Sequence, residues 1–503
     1  MGSKDAFFCT FCSLLLFCFS SKCLSSELDL PQTALVEVDA SWEVSRKIPD
    51  TLFGLFFEEI NHAGAGGIWA ELVSNRRFES GGPHTPSNID PWSIIGDESS
   101  IYITTDRSSC FSKNSVALRM EILCENCPAG GVGIYNPGFW GMGHGFRKEL
   151  IYMLLELRPQ FLRFPGISHH DEVDTIIIEP FVKDVLDSLE FARGSAESTW
   201  GSVRSAMGHP ERFPLKYVAI GNEDCGKEFY RGNYLKFYDA IRKAYPDIQM
   251  ISNCDGSSRP LDHPADLYDF HVYTSAANLF IMKNKFDRTS RIGPKVFVSE
   301  YAVNEQRDAG KGSLLASLAE AAFLTGLEKN SDVVQMASYA PLFVNDNDST
   351  WNPDAIVFNS WQQYGTPSYW VQTYFRESSG SVIHPITISS RYSDSLAASA
   401  ITWQDSEDIF LRVKIVNFGP NAVNLTISSR GLQDGVNTAK STVTVLTSGN
   451  FLDENSFSEP NKVVPVESEL PNAAEVMEAV LPPFSFTSFD LALDQYSKLV
   501  AEM

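Results

Sequence analysis

Seven short, largely apolar runs divide the first three quarters of the chain, several of them followed at once by an acid or amide. They are Leu52–Phe57, Phe161–Phe164, Tyr217–Gly221, Ile248–Asn253, Tyr268–Tyr273, Val296–Ser299 and Val333–Ala340. Runs this short that are apolar at successive positions predict strands buried on both faces. Between them the period lengthens to that of a helix, at Phe146–Leu157, Phe181–Ala192, Tyr230–Ala244 and Leu314–Leu327. Strands alternating with helices predict a parallel sheet with crossovers. The pattern is that of a TIM (β/α)8-type barrel, except that such a barrel has eight strands and seven are found.

Other stretches alternate with a period of two. From Tyr369 to Leu493 there are such runs and no long helix, for example Asp408–Val416 and Ser441–Leu446, which predicts a C-terminal β-sandwich over 369–495. Ala34–Asp39 predicts a strand of that second sheet system, placing 27–50 with the sandwich. Residues 91–142 carry short β-rich runs broken by Gly, Pro and Ser, an inserted module shorter than the roughly 100 residues a β-sandwich commonly needs. The barrel then occupies 51–90 and 143–368.

Composition narrows the possible partners. The 503 residues carry a formal charge of −23 with a pI near 4.8, which argues against nucleic acid and anionic membranes and suits a neutral ligand. Residues 1–25 are expected to be a signal peptide: Lys4 is basic, Phe7–Phe19 is apolar and small residues follow. The mature chain is therefore expected to be secreted, with no membrane association after cleavage. Five cysteines follow the leader. Cys124 and Cys127 have C-x-x-C spacing without a second pair or clustered His, which favours a structural disulfide or unpaired thiols over a metal or redox site. Asn347-Asp-Ser and Asn424-Leu-Thr are N-glycosylation sequons.

The strand mouths hold the chemistry. There stand Glu58, Arg163, Asn222-Glu223, His271, Tyr273 and Glu300. A single Glu after a strand is ordinarily a loop charge or a helix N-terminal acid. Two of them, ending two buried strands, are what cleavage of a glycosidic bond requires: a carboxyl that donates to the leaving oxygen and a carboxylate that attacks. An amide beside the acid can bind a sugar hydroxyl, and a Tyr near the nucleophile can hold it in register. Neither a metal nor another cofactor is called for. Trp92, Tyr135, Phe139 and Trp140 of the inserted module are candidates for stacking on sugar, with core packing as the alternative.

In Leu52–Gly64, Tyr217–Gly226, His271–Thr274 and Val296–Ala302 the chain resembles plant α-L-arabinofuranosidases of glycoside hydrolase family 51, a retaining-barrel clan. The resemblance spans nearly all of the mature chain. It implies Glu223 as acid/base, Glu300 as nucleophile, and Glu58, Asn222 and Tyr273 as arabinofuranose contacts, with His271 in the same motif. It also implies substrates in arabinose-containing polysaccharides or oligosaccharides and a place in the cell wall or extracellular matrix. Against the family pattern the inserted module is short, breaking off at Met142-Gly143. In addition, Arg163-Phe-Pro-Gly166 runs directly into Ile167-Ser-His-His-Asp171, omitting the third strand unit. A barrel without that strand must close around seven or expose two edges, and the alternative to an active enzyme is a non-catalytic chain that at most binds glycans.

Overall fold

The computed structural model describes residues 32–64, 75, 78, 89–90, 92–108, 116–124, 133–135, 146–164, 177–359, 362–406, 408–432 and 435–494. The expected signal peptide, Phe139 and Trp140 lie outside these residues.

All seven expected barrel strands are present: β1 Phe53–Phe56, β2 Leu162–Arg163, β3 Tyr217–Ile220, β4 Gln249–Ser252, β5 Leu267–Thr274, β6 Lys295–Val303 and β7 Val334–Tyr339. They form one parallel sheet in the order β2-β1-β7-β6-β5-β4-β3, so every strand pairs with its barrel neighbour, with β2 and β3 at the edges of the sheet among the described residues. The break falls between Arg163 and Tyr217, the part of the chain where the sequence reading expects the third strand unit to be omitted.

Side chains close the seam that the backbone leaves open. Phe161, at the foot of β2, and Tyr217, on β3, both pack into the interior cluster of Ile251, Leu267, Phe297 and Met336. Phe161 meets Phe297 edge to face at 5.5 Å. At the other end Arg163 of β2 donates to Asn222, just beyond β3, at 3.0 Å.

The crossover helices are α1 Lys148–Glu156, α2 Glu179–Arg193, α3 Thr199–Ala206, α4 Tyr230–Ala244, α5 Ala276–Ile281, α6 Gln306–Ala309, α7 Leu314–Lys329 and α8 Pro367–Thr373. α7 is apolar around most of its circumference because it is wedged between two layers, barrel and sandwich. Its Ser313 hydroxyl accepts from Ala316 N–H at 3.1 Å to cap its start. Gly326 admits the backbone of Lys283, whose carbonyl oxygen would stand 2.1 Å from any Cβ there. α8 carries the barrel layer past residue 369, because Thr366 caps it and Pro367 suits its first turn.

The sandwich has a seven-stranded and a four-stranded sheet, and Gln32–Asp39 sits inside the smaller one, parallel to Val423–Arg430. A fully buried ion pair joins the two domains: Lys414 of the strand Asp408–Asn417 and Glu328 of α7, with the Ser378 and Ser399 hydroxyls also donating to Glu328. In the inserted region, Ser93–Ile95 pairs with Gly133–Tyr135 and Ile101–Asp106 with Ala117–Ile122. Trp92 there donates its indole N–H to the Asn75 carbonyl at 3.1 Å and packs on Phe78, a structural use of the ring.

Candidate active site

The polar residues that end β2, β3, β5 and β6 converge on one cluster. Glu300 reaches it through a register shift. Phe297 of β6 faces the barrel interior beside Asp269 of β5, and strict alternation would turn Glu300 to the outer face. The shift between Asp269 and His271 instead sets Glu300 opposite His271. Tyr301 packs outward on Phe323 of α7, 5.5 Å between ring centroids.

Both oxygens of Glu300 are engaged. Oε1 accepts from Arg163 Nη1 and Oε2 from the Tyr273 hydroxyl, each at 2.7 Å. Arg163 lies with its guanidinium 4.5 Å from the centre of the Phe56 ring, so its plane is fixed while its second nitrogen reaches Asn222. Burial, with the charge and hydrogen bond of Glu300 and the charge of Glu58, drives the Tyr273 pKa up, keeping the phenol a permanent donor. Glu58, in the turn that follows β1, therefore joins the cluster through its charge.

Glu223 is held in a tight turn. Gly221 has φ 88° and Glu223 φ 58°, and a Cβ on Gly221 would meet Tyr230 at 2.8 Å. The Asp224 carboxylate accepts from Asn222 N–H at 3.0 Å, closing the turn, and Cys225 is bonded to Cys254 beyond β4. The Glu223 carboxylate is 61% exposed and that of Glu300 8%, so one faces the mouth while the other lies at its floor.

His271 stands between the two acids. Its Nδ1 is 3.1 Å from Glu223 Oε1 and 3.5 Å from Glu300 Oε2, and its Nε2 is 3.0 Å from Asp269 Oδ2. Burial opposes a charge on the ring, but the hydrogen bonds to Asp269 and Glu223 and the charges of Asp269 and Glu300 outweigh it, and the pKa is pushed up to about 10. Asp269 is fully buried, which opposes ionisation. His271, the charge of Arg163 and the Ser299 hydroxyl overcome that and hold its pKa below the usual carboxylate value. One donor atom from each of Glu223, His271 and Glu300 lies within 4.8 Å of the others. Such a trio has the makings of a metal site, with both oxygens of Glu300 already accepting from Arg163 and Tyr273. The set is an acid–base cluster with two carboxylates facing each other.

All six sequence-predicted residues thus meet here. Sequence reasoning gave no role to Arg163, Asp269, Asn61 or Trp351. Asp269, His271 and Tyr273 alternate along β5, and that alternation was the available signal for Asp269. Asn61 is buried and grips the loop beyond the strand Phe343–Asn345: Nδ2 donates to Asp354 Oδ1 at 2.7 Å, and Oδ1 accepts from Trp351 N–H at 2.8 Å and Thr350 N–H at 3.0 Å. This brings the Trp351 ring edge-on to Tyr273 at 5.2 Å. Asn347 and Asn424 are both exposed, well away from burial constraints on a sequon. Cys124 is disulfide-bonded.

Comparison with known proteins gives a consistent picture. Residues 166–291 match the domain family described as "Alpha-L-arabinofuranosidase 1 domain" and residues 299–485 that described as "Alpha-L-arabinofuranosidase C-terminal domain". The chain is 48% identical to "Alpha-L-arabinofuranosidase 1" of Arabidopsis thaliana, over 96% of this chain and 95% of the relative. It is 46% identical to "Alpha-L-arabinofuranosidase 2" of the same plant, over 92% of each. These alignments run over 645 and 625 residues, longer than the 503-residue chain, so both relatives contain stretches this chain lacks. Among solved structures, an arabinose-bound GH51 α-L-arabinofuranosidase (MgGH51) superposes with a TM-score of 0.69 at 22% identity, covering 92% of this chain and all of that one. The Thermotoga maritima α-L-arabinofuranosidase in its arabinose complex superposes with a TM-score of 0.63 at 16% identity and the same coverage. At these identities the two structural likenesses speak to the fold.

Proposed function

This chain belongs to the α-L-arabinofuranosidase family, and from that premise we propose that it removes terminal, non-reducing α-L-arabinofuranosyl residues from arabinoxylan and arabinan outside the cell, by a retaining double displacement. The observation that carries the mechanism is the approach of Glu223 and Glu300 to within 4.8 Å at their facing oxygens. Retaining enzymes separate their carboxyl groups by about 5–5.5 Å, whereas inverting enzymes leave room for a water at about 6.5–9.5 Å.

Glu300 attacks the anomeric carbon while Glu223 protonates the departing glycosidic oxygen, giving a glycosyl-enzyme. Glu223 then takes a proton from the water that releases arabinose. Arg163 and Tyr273 hold the Glu300 carboxylate from both sides, so it does not have to find its orientation during the reaction. His271 shares a hydrogen bond with Glu223 and so holds the acid/base carboxyl in place. Asn222, Glu58 and the Trp351 edge border the position of the sugar. Asn347 and Asn424 would carry glycans on a secreted chain.

The alternative of a non-catalytic glycan binder draws on the open seam. Against it stand the bonds from Arg163 to Glu300 and Asn222, which span that seam and hold the site's geometry. Two variants test the roles. Glu300→Gln should abolish turnover of every aryl arabinofuranoside. Glu223→Gln should slow substrates with poor leaving groups far more than those with good ones, since only the former need the acid. Full turnover by Glu300→Gln would rule out the assignment, and release of the β-anomer as first product would replace retention with inversion.

A further inference from the structure

The chain takes a sharp course where β3 ends. Gly221 (φ 88°) and Glu223 (φ 58°) both lie in the left-handed region. Glycine adopts that conformation freely, but for a glutamate it is unfavourable and lasts only where the surroundings impose it. The Glu223 side chain is also 61% exposed, so packing does little to place its carboxyl and the course of the backbone decides where it stands. β3 gives that backbone limited support, since among the described residues it pairs with β4 alone.

Three ties fasten the turn to the residues that follow β4. The Tyr230 hydroxyl donates to the Ile220 carbonyl at 3.0 Å and accepts from Asn253 N–H at 2.8 Å, bridging the two strand ends. Asp224 N–H donates to Asn253 Oδ1. Cys225 and Cys254 make the third tie, a disulfide. One tie grips the chain at Ile220, before Glu223, and two grip it at Asp224 and Cys225, directly after. Glu223 is therefore held from both sides.

The place of the disulfide distinguishes it from a plain staple. It joins residues 29 positions apart, yet β3 and β4 already pair from Tyr217 with Gln249 to Ile220 with Ser252. In the folded chain the loop through α4 is closed by that pairing, and what the disulfide adds is a fixed path for the turn between Gly221 and Cys225. Any stability it contributes by restricting the unfolded chain is a separate effect.

We propose that Cys225 and Cys254, together with Asn253, are positioning residues for Glu223: they hold its turn so that the carboxyl is aimed at the departing glycosidic oxygen. This rests on the reading of Glu223 as the acid/base. A general acid acts only within hydrogen-bond reach of the atom it protonates, and a misplacement of about 1 Å can cost about a hundred-fold in rate. Opening the strap should therefore impair protonation, while Glu300 on β6 keeps its bonds to Arg163 and Tyr273.

The test compares kcat/KM of the full chain on methyl and 4-nitrophenyl α-L-arabinofuranosides. Methoxide needs a proton to leave and 4-nitrophenolate does not. Cys225→Ser/Cys254→Ala should lower the methyl to 4-nitrophenyl ratio by about ten-fold or more, in the direction of Glu223→Gln, which should lower it by about a hundred-fold or more. Both rates are read on one preparation, so any loss of folded protein cancels in the ratio. A cross-link that served stability alone would lower both rates together and leave the ratio at the parent's value. That result, with the ratio still lowered by Glu223→Gln, overturns the proposal. A parental ratio in Glu223→Gln itself would instead overturn the acid/base assignment, and the proposal with it. If the cysteine variant yields no folded protein, Asn253→Ala, which keeps the disulfide and removes the hydrogen bond to Asp224, decides by the same ratio.

Discussion

Replacing Arg163 probes the place where this fold departs from a closed barrel. Its guanidinium makes the one direct side-chain hydrogen bond found among the described residues between the ends of β2 and β3, and it also holds Glu300, at 3.0 Å to Asn222 and 2.7 Å to Glu300. The Arg163 side chain is 16% and that of Glu300 8% exposed, so this is a largely buried ion pair. Removing one member of such a pair costs about 3–5 kcal/mol, because the other charge stays behind without its partner. Arg163→Met should lose stability of that order in urea unfolding, a large share of the 5–15 kcal/mol typical of a folded domain. The loss in rate is a separate quantity. A hydrogen bond to a charged group contributes about 1.5–3 kcal/mol, so a Glu300 left with Tyr273 alone should lower kcat/KM on an aryl arabinofuranoside by roughly ten- to a hundred-fold. Arg163→Lys separates charge from geometry. An ammonium can reach Glu300 or Asn222 but lacks the planar fork that serves both, so it should recover part of the stability and still lose about ten-fold in rate. If Arg163→Lys matched the parent in both rate and unfolding, the bridge across the seam would have no function and the argument would fail.

Three further outcomes are expected. His271 has its pKa raised from the ordinary 6.5 to about 10, so its contribution to stability is fully present below pH 6.5 and is lost as pH rises through about 10. Urea melts at pH 7 and pH 10.5 should show the parent losing on the order of 4 kcal/mol more than His271→Gln over that interval, and parallel losses would contradict the charged imidazole. Lys414→Met should destabilise by about 3–5 kcal/mol by stranding the buried Glu328 carboxylate, while Lys414→Met/Glu328→Leu should recover most of it; thermal melts of the three proteins decide. Asn61→Ala removes the grip on the Trp351 loop and should cost about 2–4 kcal/mol, with kcat/KM falling as the Trp351 edge leaves Tyr273, and an unaffected rate would detach that loop from the site.

The barrel strands were legible because each is a continuous apolar run, and the acids and aromatics that end those runs could be read as mouths. Among the described residues the sheet has seven strands, the number that the apolar runs predict. Residues whose meaning depends on distant partners were harder to read. Arg163 stood visibly at a mouth, but its partners lie 59 and 137 positions away. Asp269 sits inside an apolar run, where one acid reads as an irregularity until Ser299 and His271 are seen around it. The turn of Glu300 toward the interior depends on a one-residue register shift between β5 and β6, which no single-strand pattern encodes. Helix α3, Thr-Trp-Gly-Ser-Val-Arg-Ser-Ala, consists mostly of weak helix formers and is supported by the Ser198 cap and its packing on α2. Trp351 belongs to a loop that only the buried Asn61 side chain defines.

The two carboxylates proposed for the chemistry do not share equal support. Glu300 rises from β6, with strands on both sides, whereas Glu223 follows β3, which among the described residues pairs with β4 alone. Edges of a sheet open before its centre does. On warming, Glu223 should come loose while Glu300 is still in place. Well short of global unfolding, the molecule would then still accept arabinose from a donor whose leaving group departs unaided, yet fail on the natural glycosidic acetal of a polysaccharide. Choice of substrate would in that case act as a thermometer for one strand, and heat-inactivation curves taken with activated aryl glycosides would overstate the temperature range in which the protein can work on polymer.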